Sequence, residues 1–103
     1  MTKKRLLPND RKYEILMAAI AVAGRPGGWS KLTRDAVARE AKCADGLVSK
    51  YFNTMGQMRR AVMRSAVLTE NLHVIAQGLA TGDENAMKAA PELKARALNT
   101  LVG

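Results

Sequence analysis

Apolar residues along this chain recur at steps of three and four, and no stretch keeps the two-residue alternation of a half-buried strand. Over residues 11–23, Leu16, Ala19, Ile20 and Ala23 fall at i, i+3, i+4 and i+7, the spacing of one buried helical face. Pro8 should stop a helix from running through, and Asn9 or Asp10 is placed to cap the segment after it. The run "GRPGG" at 24–28 ends this helix, with Trp29 expected to pack beneath the turn. Thr33 reads as the N-cap of a second helix reaching Ala41 or Lys42, with Val37 and Ala41 facing inward. After the turn "CAD", residues 46–52 predict a short helix on which Val48 and Phe52 share a face. Thr54 is placed to cap the next helix. Met58, Ala61, Val62, Ser65, Leu68, Thr69, Leu72, Ile75, Ala76 and Leu79 predict that helix as one long amphipathic run ending near 81–83. Asp83 can cap a last segment, in which Pro91 either kinks one helix or opens a second, and Leu93, Ala97, Leu98 and Leu101 form the final apolar stripe.

The expected fold is therefore all-α: a three-helix, helix-turn-helix head, then a long amphipathic helix and a short C-terminal helical segment. Aromatic residues make up only 4% of the 103 residues, so Leu, Ile, Val, Met and Ala must build the core. Charge divides the chain further. Residues 1–64 hold 14 Lys and Arg against 5 Asp and Glu, whereas residues 65–103 hold 3 against 4. The whole excess of +8 thus lies in the first part, which predicts a polyanion-binding head and a neutral tail with another task. The organisation expected is a basic arm at 1–8 carrying Lys3, Lys4 and Arg5, a DNA-binding head at 9–64 and a packing or dimerisation extension at 65–103.

Other chemistry finds little support in the sequence. A single cysteine, Cys43, excludes an intramolecular disulfide, and with one histidine, His73, it does not supply a usual zinc site. No phosphate loop, nucleophile motif or recognisable acid pair occurs, so no enzyme and no cofactor are expected. No apolar run approaches the ~20 residues of a membrane span and no secretory core succeeds the basic N-terminus, so a cytoplasmic, nucleoid-associated protein is expected. Gly24-Arg25-Pro26 has the form of a minor-groove hook but lacks flanking basic residues, and a helix-ending turn is expected there instead.

Three separated pieces between residues 11 and 67 occur in order: "ILMAAIAVAG", "LTRDAVAREA" and "DGLVSKYFNTMGQM". Together they resemble the DNA-binding domain of the tetracycline-repressor (TetR) family. That pattern has Ile-Leu-x-Ala-Ala on the first helix, Val-Ala-x-x-Ala on the second, and a recognition helix ending Tyr-x-Tyr-Phe. The resemblance covers a little over half the chain. It implies that Thr33 caps the second helix and binds phosphate, and that Gly46 and Leu47 open the recognition helix toward the bases. It implies that Ser49, Lys50 and Tyr51 face backbone or base edges, Tyr51 best placed for a phosphate, and that Val48, Phe52 and Cys43 are core positions.

The chain also departs from that pattern. Ala44 stands where a serine or threonine is common, which removes a cap and a phosphate contact. Leu47 replaces a small polar residue, Ser49 a frequent tyrosine and Met55 a frequent lysine. Family members usually continue into a long helical domain that encloses a small molecule. Here about twenty residues come after Gly82, too few to enclose a typical cavity of about 300–1,000 Å³, so no small-molecule effector is expected.

The reading reached is a sequence-specific, double-stranded-DNA-binding transcriptional regulator, in its simplest form a repressor that occupies a palindromic operator as a homodimer. A phage or mobile-element setting would suit so small a factor. Lys31, Thr33, Arg34, Lys50 and Tyr51 would hold the DNA backbone, and Asp45, Gly46, Leu47, Ser49 and Lys50 would lie nearest the bases. Asp45 is expected to take over the cap that Ala44 lacks, or else to face the groove. Leu68, Leu72, Ile75, Leu79, Leu93, Leu98 and Leu101 would join two copies, unless the last helix folds back on its own core. The same surface would also serve a scaffold that modulates polymerase or another DNA-bound protein, or a non-specific architectural binder.

Overall fold

The computed structural model describes residues 8–102, so the arm residues Lys3, Lys4 and Arg5 lie outside the described residues. Among the described residues the chain is helical throughout: α1 (Pro8–Ala23), α2 (Arg34–Ala41), α3 (Asp45–Tyr51), α4 (Met55–Thr69), α5 (Leu72–Thr81), α6 (Glu84–Met87) and α7 (Pro91–Val102). The all-helical expectation holds over the described residues, and none of their helices is long and apolar enough to cross a membrane. Pro8 does not stand before the first helix but opens it, because a residue without an N–H loses nothing in the first turn. Asn9 and Asp10 consequently lie inside that turn rather than capping it. Pro91 opens α7 in the same way.

The core face of α1 is Ile15, Ala18, Ala19, Val22 and Ala23, turned one position from the stripe expected. Leu16 and Ile20 are half-buried on its flank. The helix serves two neighbours, α2 and α4, so its buried strip is broader than one i, i+3, i+4 row. Val37, Val48, Phe52, Met58, Val62, Met63 and Ala66 complete the core of the first four helices. Trp29 and Leu32, from the segment between α1 and α2, are also buried there.

That segment is held from three sides. Gly28 passes so close to α1 that a Cβ would stand 1.9 Å from the Val22 carbonyl oxygen, so only glycine fits. Arg59 of α4 donates to the Trp29 carbonyl at 2.6 Å and the Leu32 carbonyl at 3.1 Å, with its guanidinium 4.9 Å from the Trp29 ring centroid. Gln77 of α5 accepts from the Trp29 N–H at 2.8 Å and donates to the Ala23 and Arg25 carbonyls at 2.6 and 3.1 Å.

The long helix expected over 58–79 is broken. α4 ends at Thr69, Glu70 takes the left-handed conformation (φ 56°), and Asn71 caps α5 by accepting from Val74 N–H. Two other helices end in the same way. After α2, α4 and α5, a left-handed residue (Lys42, Glu70, Gly82) donates its N–H three residues back, and the next residue donates five back. These are Schellman ends. The apolar period runs through Glu70 without interruption, which is why periodicity alone reads as one helix. The break lets α5 bury Val74, Ile75 and Ala76 in the shared core while it packs along α7.

α7 folds back along α5, burying Leu93 and Ala97, and Arg96 pairs with Glu70 at 3.0 Å. Gly78 lies where α5 meets α4 and α6; a Cβ there would stand 2.3 Å from Met63 Cε and 2.9 Å from Ala86 Cβ. The leucines assigned to dimerisation are therefore divided. Ile75 and Leu93 are buried within their own chain, and Leu72 and Leu79 are half-buried against the core. Leu68, Leu98 and Leu101 remain exposed, at 83%, 45% and 57%.

Candidate nucleic-acid interface

The surface to which the sequence assigns binding is built on α2, its turn and α3. Thr33 begins it as expected: its hydroxyl oxygen accepts from Ala36 N–H at 3.1 Å while the residue stays exposed. Lys31, two residues earlier, is exposed as well. α2 ends at left-handed Lys42, and half-buried Cys43 comes next.

α3 then starts without a side-chain cap. Ala44 holds the N-cap position with extended backbone, and Asp45 is already the first helical residue. The capping role expected of Asp45 therefore fails. An acid one residue inside the helix interacts with the positive helix end but makes no cap bond. Val48 packs inward and Phe52 closes the helix in the core. Leu47, Ser49 and Tyr51 are half-buried on the two flanks, and Gly46 and Lys50 lie on the outer side. A Cβ on Gly46 would meet nothing within 4 Å. Lys50 Nζ lies 5.7 Å from the Tyr51 ring centroid.

Arg34 is turned to a different use from the one expected. It is half-buried, donates to the Asn53 carbonyl at 3.1 Å, and its Nε is buried without a partner. The guanidinium thus ties the start of α2 to the turn between α3 and α4, which fixes the angle at which α3 is presented.

Charge on this surface is only partly neutralised. Asp35 pairs with Arg39 along α2, and Glu40 with Arg25 across to the first loop. Asp45 has no ion pair among the described residues. Neither do Lys31, Lys42 and Lys50. Sequence reasoning missed two cations here. Lys42 lies in the turn itself, where a lysine carries no signal for left-handed backbone. Lys12 of α1 comes to the end of α3, with Nζ 5.4 Å from the Phe52 ring centroid. Only tertiary packing joins those two positions. Lys12, Lys31, Lys42 and Lys50 thus stand on this surface without an ion pair among the described residues, beside Asp45, with Gly46 a small neutral gap between them.

The tail also helps to wall a groove of a size that its length was expected to exclude. An open space of about 540 Å³ lies between the first loop, α5 and α7, lined by Gly24, Pro26, Gly27, His73, Gln77, Thr100 and Leu101. His73 is exposed at its edge, and the Gln77 carboxamide is already engaged with the loop. Compared with known protein families, curated proteins and solved structures, the chain matches none.

Proposed function

We propose that α2, its turn and α3 form a helix-turn-helix unit that binds double-stranded DNA sequence-specifically, and that the chain regulates transcription, most simply by occupying an operator. The observation that carries this reading is the outer side of α3. Gly46, the second residue of its helix, costs it up to roughly 0.5 kcal/mol relative to alanine, yet no neighbour in the protein needs the space. Lys50 beside it has no acidic partner among the described residues. A helix start that must approach a groove closely gives both residues a purpose.

In this reading Lys31, Thr33, Tyr51 and Lys12 hold phosphates, while Gly46, Ser49 and Lys50 approach base edges. Asp45, free of the cap, accepts from a cytosine amino group. Arg34 positions α3 from within. Two copies read a palindromic site, since paired half-sites call for a two-fold dimer, and Leu98 and Leu101 are exposed large apolar residues of α7 placed to join them.

Selection of bound duplexes from a random pool tests the reading directly. A specific regulator enriches one palindromic site and prefers it by roughly 10³-fold or more over competitor DNA. Flat enrichment with a steep salt dependence would make the protein an architectural binder instead. On the selected site Lys50→Ala should cost ~1–3 kcal/mol at one base pair; a uniform loss over all sequences would assign Lys50 to phosphate. Light scattering that finds a monomer with the selected duplex present would remove the dimer.

A further inference from the structure

Leu68 is the most exposed large apolar residue among the described residues, and it does not stand on open ground. It lines a shallow groove of about 340 Å³ between the end of α4 and α6, together with Arg64, Val67, Asn85, Lys88 and Ala89. Val67, Leu68 and Ala89 supply the apolar floor. Arg64 and Lys88 are exposed cations with no acidic partner among the described residues, and no acid lines the groove. The Asn85 carboxamide makes no hydrogen bond among the described residues. It is available to a peptide backbone or a carboxylate.

The walls are fixed before any partner arrives. Ala86 is fully buried against Gly78, and Asp83 caps its N–H at 3.0 Å. Lys94 of α7 donates to the Met87 carbonyl at 2.9 Å. A preformed groove loses little freedom on binding.

We infer that this groove docks an acidic, leucine-bearing peptide segment of a partner protein, one apolar side chain entering over Leu68 with carboxylates on either side meeting Arg64 and Lys88. An apolar centre with a charged rim is the make-up of a protein-binding patch. A second copy of this chain fits poorly, because a two-fold contact through the groove would set the basic rim against itself. DNA fits poorly too, because phosphates would leave Leu68 in water. Leu68 lies 13 residues along α4 from its start beside α3, about 20 Å at 1.5 Å per residue. A bound peptide and a bound duplex therefore need not collide, and the inference stands whether or not α3 binds DNA.

The test uses three labelled peptides of about 15 residues: a leucine-bearing acidic helix, the same helix with every Glu changed to Lys, and the acidic helix with Leu changed to Ser. Anisotropy should detect the first alone. Amide shifts in the labelled full chain should concentrate at Arg64, Val67, Leu68, Asn85, Lys88 and Ala89. Leu68→Ser, at an exposed position that the fold does not need, should weaken binding about tenfold or more. Arg64→Glu with Lys88→Glu should abolish binding of the acidic peptide and admit the lysine version. Shifts centred on α3, or acidic-peptide binding indifferent to Leu68→Ser, would overturn the inference. So would a dimer that Leu68→Ser dissociates, which would give the groove to a second copy. Loss of duplex affinity in the Arg64 and Lys88 variant with peptide binding unchanged would give it to DNA.

Discussion

α3 and α5 are short helices of 7 and 10 residues that use their side chains in opposite ways. α5 commits almost everything to the inside of the molecule. Val74, Ile75, Ala76 and Gly78 are buried, and Gln77 bridges to the segment before α2. α3 buries Val48 and little else, while its outer side holds an unneeded glycine, an unpaired acid and an unpaired lysine. Stability and the proposed recognition are thus placed on different helices. The neutral second part of the chain shares one core with the basic part and supports it there, with Gln77 adding hydrogen bonds to the segment before α2.

The division breaks most visibly if a core residue of α5 is cut back. Ile75→Ala should cost ~2–5 kcal/mol in denaturant unfolding, since a fully buried side chain leaves a cavity. A cost near zero would mean that α5 and α7 do not pack against each other. Gly78→Ala should cost about 1–3 kcal/mol, because the Met63 terminus can yield but Ala86 Cβ has less room. Neither change touches α3, so in the proposed function the folded fraction should bind the selected duplex as the unaltered chain does.

The break between α4 and α5 has a test that turns on sign. Glu70→Gly removes the cost of left-handed backbone and should stabilise by up to about 1 kcal/mol, less what the exposed Arg96 pair contributed. In one continuous helix the same change would destabilise by about 1 kcal/mol. Equilibrium unfolding of the two proteins decides between them. The smallest effect expected is also the one that sharpens the contrast with α3. Gly46→Ala should stabilise by up to roughly 0.5 kcal/mol in the same assay while weakening binding to the selected duplex. Gain on both counts would leave Gly46 without a functional reading.

Much of the fold is written in short-range chemistry. Thr33, Thr54 and Asp83 each cap a helix by accepting an N–H three residues on, Gly82 takes a left-handed turn, and Pro91 opens a helix. Such signals are local because donor and acceptor lie within one turn of each other. Asn71 carries the same signal, three residues before Val74, but the unbroken apolar period around it hides the helix start. The candidate surface is legible in the sequence as a set of residues, but not as a set of roles. Asp45 lies one residue too late to cap, and Arg34 turns inward to Asn53.

By itself, then, the sequence determined the helical class, most helix ends and the basic first part, all of which depend on neighbours along the chain. The tertiary structure alone decided where the long periodic run breaks and which leucines remain outside. At Glu70 a left-handed residue costs about 1–2 kcal/mol, and the Asn71 cap beside it, a local signal of similar size, does not by itself outweigh the helical turn given up. What does is the burial of Val74, Ile75 and Ala76 in the core as α5 packs along α7, a helix that begins 21 residues later at Pro91. The local cap marks where such a turn can form, but the energy that selects it over a continuous helix lies outside the window of sequence in which that cap is read.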